Sequence, residues 1–155
     1  MCQQLEENLE FNWIEIGKFA KDHGCIDSYD EVYKCPVIDE DKVLDELEDK
    51  IAEGGYIVDY HGCDFFPEHW FDIVFVLRTD NTKLYDRLEQ RGYIGKKLQD
   101  NIQCEIFQTI LEEARSTFRS DMVFELQSNT TEEMDANVEQ ITSWISKWQP
   151  VQTDT

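Results

Sequence analysis

The stretch "YIVDYHGCDFFP" (56–67), followed by "DIVFVL" (72–77), decides how this chain is read. Both open on continuous apolar, β-branched runs with no polar alternation, the pattern of strands buried on both faces of a parallel sheet. Ligands of such sheets bind beyond the carboxyl ends of the strands. Asp59 stands near one such end. A carboxylate there can hold a magnesium ion, directly or through water, beside nucleotide phosphates, or it can merely cap a loop. His61 can orient a water or a phosphate oxygen in the same cleft, or be a surface histidine.

Helices alternate with these strands. Residues 39–55 predict a capped helix: Asp39 serves as N-cap, Val43, Leu44, Leu47 and Ile51 recur at helical spacing, and Gly54-Gly55 ends it. The first eight residues read as helix, "FNWIEI" (11–16) as a short strand, and "GKFAKDHG" as a brief helix stopped by Gly24. Cys25 to Ile38 reads as loop, broken by Pro36. Further helices are expected at about 81–91, on Leu84 and Leu88, and from about Lys96 to Phe118, on Leu98, Ile102, Ile106, Ile110 and Ala114. "MVFEL" (122–126) is a last strand. Thr130 and Glu133 form a capping box for a final helix along Met134, Val138, Ile141, Ile145 and Trp148, closed by Pro150, with a frayed polar tail at 149–155. The alternation predicts one α/β domain over 1–155 with a mainly parallel sheet.

The formal net charge is −20, from 34 acidic against 14 basic residues, so the surface repels nucleic-acid phosphates and anionic membranes and attracts basic proteins. Cys2, Cys25, Cys35, Cys63 and Cys104 are scattered without C-x-x-C spacing and suggest neither a disulfide framework nor a zinc site. No apolar run approaches the roughly 18 residues of a membrane span. An intracellular protein with reduced thiols is expected.

In "LYDRLEQRGY", Arg87 and Arg91 lie four apart near the C-terminal end of a helix. Converging guanidiniums suit phosphate oxygens, though pairing with Asp86 and Glu89 fits equally. The phosphate-cradling G-x-x-x-x-G-K-[ST] is absent: Gly17-Lys18 is followed by Phe19 and Gly95-Lys96 by Lys97.

Taken together, "YDEVYKCPVIDEDKVLDELEDKIAEGGYIVDYHGCDFFPE", "FVLRTDNTKLYDRLEQRGY" and "KKLQDNIQCEIFQ" closely resemble the adenylate kinase isoenzyme 6 family. The resemblance runs from the first residues to about Trp148. It implies a P-loop nucleoside-monophosphate-kinase-like fold, a parallel sheet flanked by helices. The implied activity is transfer of the ATP γ-phosphoryl to AMP or a related monophosphate, with ATP hydrolysis besides, magnesium accompanying the ATP. It implies a link to small-ribosomal-subunit maturation through a basic ribosomal protein, in nucleus and cytoplasm. Asp59 and His61 match the family's D-x-H motif, Asp59 serving the metal. Arg91 matches the lid arginine on ATP, with Arg87 a second contact and the lid at about 90–100. The monophosphate segment spans about 15–38, with Gly17 and Lys21 in "GKFAK" where the family has "GDLAR". Lys21 for arginine turns a bidentate phosphate contact into a point charge. His69 stands where "FPERW" would have arginine.

In the family a central first strand and a Gly-rich loop precede the first helix, and this chain starts within that helix, as an incomplete gene model or splice form would. The resemblance places that strand between those matching "YIVDY" and "DIVFVL". Without it, either those two strands pair directly or they expose hydrogen-bonding edges, since unpaired buried backbone groups cost roughly 1–3 kcal/mol each. Unaided turnover is then not expected. A non-catalytic role, the acidic surface holding a basic ribosomal protein, is the alternative.

Overall fold

A computed structural model describes residues 1–33 and 35–148, so the expected tail at 149–155 lies outside the described residues. The order is α1 (Cys2–Leu9), β1 (Asn12–Glu15), α2 (Ile16–Asp22), β2 (Ile26–Asp30), β3 (Cys35–Ile38), α3 (Glu40–Glu53), β4 (Tyr56–Asp59), β5 (Val74–Arg78), α4 (Asn81–Gln90), α5 (Gly95–Ile106), α6 (Thr109–Thr117), β6 (Val123–Gln127) and α7 (Thr131–Lys147). The expected α/β arrangement of parallel strands flanked by helices is present.

The strands form three pairs. β1 runs parallel to β4, from Asn12 opposite Tyr56 to Glu15 opposite Asp59. β5 runs parallel to β6, from Val74 opposite Val123 to Arg78 opposite Gln127. β2 and β3 form an antiparallel hairpin. The two parallel pairs share no ladder. β4 and β5 do not close up, and no strand among the described residues lies between them. A cavity of about 610 Å³ separates the two edges instead.

Alternate strand residues feed two apolar clusters, as a period of two requires. On one face Ile57, Phe75 and Leu126 pack with Leu5 of α1 and Val138 and Ile141 of α7. On the other, Ile14, Val58, Val74 and Val76 pack with Phe19, Val43, Leu47, Leu111 and Phe118. The second cluster holds the side chains most fully removed from water, Ile16, Val43, Leu47 and Leu111.

Two caps behave as the sequence predicts. The Asp39 carboxylate accepts the Lys42 N–H at 3.2 Å. Thr130 Oγ1 accepts the Glu133 N–H at 3.1 Å, while the Glu133 carboxylate reaches back to the N–H of Asn129, one residue before the cap.

Two expectations are corrected. Residues 26–38 are a hairpin, not a loop. Their signal is weak because the hairpin stands out from the core, with Tyr29, Val32 and Val37 exposed, and Pro36 is tolerated because only two strands pair. The helix expected over 96–118 is two helices, broken at Phe107-Gln108, where Gln108 takes φ +56°. Apolar residues four apart advance about 40° beyond each full turn. Over Leu98 to Ala114 one straight helix would swing its stripe off the core. The break resets the phase, leaving Phe107 in solvent and returning Leu111 and Ala114 to the interior.

Candidate functional site

Asp59 is the last residue of β4, and its position follows from the half-buried apolar run before it: Ile57 and Val58 anchor the strand against opposite clusters. None of the ion pairs among the described residues uses its carboxylate. The Cys2 thiol, at the start of α1, lies against it. Burial first, then the Asp59 charge, pushes that thiol up to about 11. The N-terminal turn of α1 and the end of β4 therefore meet at one mouth of the interstrand cavity.

His61 follows in the turn leaving β4. The residue is exposed overall, but its ring lies against Tyr60 with centroids 4.1 Å apart. That partial loss of water lowers the imidazole pKa, so the ring is neutral at pH 7 and can both donate and accept. The "DFFP" block fixes this turn: Tyr60 stacks edge-on with Phe65 (5.7 Å), Phe65 lies 4.1 Å from Phe66, and Phe66 is buried. Cys63 is raised to about 11, chiefly by burial and then by the Glu113 charge.

The other expected residues lie elsewhere. Asp59 and His61 line the cavity; Arg87, Arg91, Gly17 and Lys21 do not. Arg91 caps α4, where Gly92 at φ +84° lets its own N–H reach the Glu89 carbonyl and the Tyr93 N–H reach the Leu88 carbonyl. That double bond pattern ends the helix and leaves the Arg91 side chain exposed at the α4–α5 corner. Arg87, expected as a phosphate contact, has its terminal nitrogens already engaged. They donate to the Ser128 and Asn129 carbonyls at 2.8 and 2.7 Å, bracing the β6–α7 turn. Gly17 sits in the first turn of α2, where a Cβ would stand 2.8 Å from the flexible Glu15 carboxylate. Lys21 is exposed in the last turn of that helix.

Three arrangements escaped the reading of the sequence. Arg78, ending β5, donates to Glu105 of α5 at 2.6 Å and to Glu125 of β6 at 3.2 Å. These residues floor a small polar pocket with Thr79, Asp80 and Asn129. Tyr33 of the hairpin donates its hydroxyl to Asp100 of α5 at 2.6 Å, with the Lys96 ammonium 5.7 Å from its ring. The hairpin of the 15–38 segment thus touches the first turns of α5, at the end of the 90–100 segment. Cys2 beside Asp59 is the third. No local pattern announces any of them, because each joins residues far apart in sequence.

A magnesium ion needs few protein oxygens when phosphates supply the rest; one or two carboxylates suffice. No group of three or more His, Cys, Asp or Glu side chains among the described residues converges as a metal cage. A strand-end carboxylate outside any ion pair among the described residues fits the first requirement, and Asp59 is such a group.

The chain matches, over residues 1–108, a family model described as an AAA domain. It is 49% identical over 148 residues to a protein of Drosophila melanogaster named adenylate kinase isoenzyme 6 homolog, covering 96% of this chain and 85% of that one. A Caenorhabditis elegans protein of the same name is 52% identical over 141 residues, covering 90% and 78%. A Saccharomyces cerevisiae homolog is 42% identical over 148 residues, covering 95% and 75%. Identity of this degree over most of each chain joins the parallel α/β architecture and the strand-end Asp59 in one conclusion: the chain belongs to the adenylate kinase isoenzyme 6 family.

Proposed function

We propose that this chain carries the metal-binding and lid parts of a nucleoside-monophosphate kinase acting on ATP and AMP or a related monophosphate, with ATP hydrolysis as a second outcome. The observation that carries the reading is Asp59, outside any ion pair among the described residues, at the end of a half-buried parallel strand and lining a cavity. Asp59 would hold magnesium, directly or through water, and the ion would supply positive charge beside the phosphates of a bound ATP. Neutral His61 orients a water or phosphate oxygen beside it. Arg91, exposed at the lid corner, swings onto the ATP phosphates on closure, which also excludes water. Arg87 assists only if it releases the β6–α7 turn. Gly17 and Lys21 receive the monophosphate, Lys21 as a point charge.

No G-x-x-x-x-G-K-[ST] occurs in the 155 residues, so the backbone N–H cradle, its lysine and its hydroxyl are not supplied by this sequence. We therefore expect weak nucleotide binding and little turnover from the chain by itself. The test is titration with a fluorescent ATP analogue, with and without magnesium, on the parent and on Asp59→Asn, alongside ADP formation from ATP and AMP. Magnesium-dependent binding that Asp59→Asn abolishes supports the reading. Magnesium-dependent binding identical in both proteins sinks it.

The net charge of −20 favours a second role, holding a basic small-subunit ribosomal protein in nucleus and cytoplasm. Such binding weakens steeply with added salt and needs no nucleotide.

A further inference from the structure

We propose that Tyr33 and Asp100 are the positioning residues of a latch that makes the β2–β3 hairpin and the first turns of α5 move as one body. The hairpin is a lever with two footholds. At its base the Asp39 N–H donates to the Cys25 carbonyl at 2.7 Å, Cys25 is buried, and Ile38 packs against the core. Beyond the base the strands lie largely open to solvent. A two-stranded ribbon that buries so little is marginal by itself. Its second foothold is the tip. There Asp30 Oδ1 accepts the N–H groups of Val32 at 2.8 Å and Tyr33 at 3.0 Å, which folds the turn from which the Tyr33 side chain reaches α5. The phenol donates to Asp100 at 2.6 Å, across 67 residues of sequence. A short hydroxyl–carboxylate bond is among the stronger hydrogen bonds a protein makes.

α5 is a lever of the same kind. Arg78 pins its last turn through Glu105, whereas its start has no side-chain cap: the N-cap residue, Ile94, is 70% exposed, and Gly95 takes φ +55°, a swivel that glycine adopts without strain. Lys96 and Asp100 stand one turn apart on α5, and the Lys96 ammonium lies 5.7 Å from the Tyr33 ring. Two residues of the helix therefore grip one tyrosine of the hairpin. Both levers are held firmly away from their meeting point and weakly beside it. A side-chain bond placed there transmits displacement, because neither end moves without carrying the other or breaking the bond. One consequence rests on the kinase reading, under which the hairpin belongs to the monophosphate segment and Asp100 to the end of the lid. Arrival of the monophosphate and closure of the lid then become one event. The latch itself does not rest on that reading.

Hydrogen exchange of the full chain, without nucleotide or magnesium, reads the latch first. Tyr33→Phe should speed exchange by at least about threefold in two places, the hairpin strands and the α5 turns over 98–101. Asp100→Ala should do the same, reaching the hairpin from the other side. Asp100→Asn keeps an acceptor oxygen and should restore most of the protection. The double variant, Tyr33→Phe with Asp100→Ala, should exchange no faster than either single one, since both remove the same bond. Acceleration confined to the mutated element, or effects that multiply in the double variant, overturns the latch. The β5–β6 ladder is the control for an intact fold, and if Asp100→Ala fails it, Tyr33→Phe and Asp100→Asn still decide. A titration then reads the consequence. With magnesium, a fluorescent ATP analogue should bind at least about fivefold tighter when AMP is present, and Tyr33→Phe should abolish that gain. An affinity that AMP leaves unchanged in the parent overturns the coupling. If the analogue does not bind at all, it is the kinase reading that fails, and the exchange results decide the latch.

Discussion

Replacing Arg78 by Met should lower stability by about 2–4 kcal/mol. The guanidinium sits with only 15% of its side chain exposed, 2.6 Å from Glu105, whose side chain is 17% exposed. Its Nη2 also donates to the Glu105 carbonyl at 3.3 Å. Removing one member of a buried ion pair typically costs about 3–5 kcal/mol, because the partner charge is left uncompensated. Two features lower the figure here. Glu105 keeps the Thr79 N–H at 3.3 Å, and methionine retains most of the packing of the arginine stem. The Glu125 contact, with its carboxylate side chain 33% exposed, adds at most about 1 kcal/mol. Urea unfolding followed by circular dichroism reads the effect. With a slope of about 2 kcal/mol/M, the midpoint should fall by about 1–2 M. Arg78→Met combined with Glu105→Gln should recover at least about 1 kcal/mol of that loss, since the stranded carboxylate is then neutral. A single-variant shift below about 0.3 M, or strictly additive effects in the pair, would refute the assignment of Arg78 as the anchor between sheet and α5.

Other outcomes follow from the same geometry. Tyr33→Phe removes the hydroxyl that ties the hairpin to Asp100; amide exchange in residues 26–30 should accelerate, and unchanged exchange argues that the tie is not formed in solution. Burial holds His61 below its usual 6.5, so the native state binds fewer protons than the unfolded chain just under that pH. Stability should fall as pH drops below about 6.5 and level off once the folded histidine protonates, and His61→Gln should flatten that slope in pH-dependent melting. Cys2 and Cys63, both raised from 9.0 to about 11, should cost stability as pH climbs from about 9 to 11, with serine variants showing less loss. Gln108→Gly relieves a left-handed residue at φ +56° and should raise the melting temperature through a gain of up to about 1 kcal/mol; a lowered value would count against the α5–α6 break.

The features legible in the sequence were those written within a few neighbouring residues. Continuous apolar runs placed β4 and β5, Asp39 and the Thr130–Glu133 pair placed two helix starts, and "DYHGCDFFPE" placed the chain in its family. Asp59 fell at a strand end for the same reason, because the run that buries the strand stops there. What only the tertiary structure decided involves partners that no local pattern names. Residues 26–38 pair as a hairpin because each strand finds the other, with little core burial to leave a periodic trace. The helix over 96–118 breaks at Gln108 because the core lies on a fixed side while a four-residue repeat drifts around the axis. Arg87, equally suited by sequence to a phosphate or to its helix neighbours, reaches carbonyls 41 and 42 residues away. Whether β4 and β5 would meet or stand apart was likewise undetermined. Ladder pairing is a competition between backbone bonds and the packing of two helical layers, and here α1, α6 and α7 keep the two edges at separate walls of one cavity.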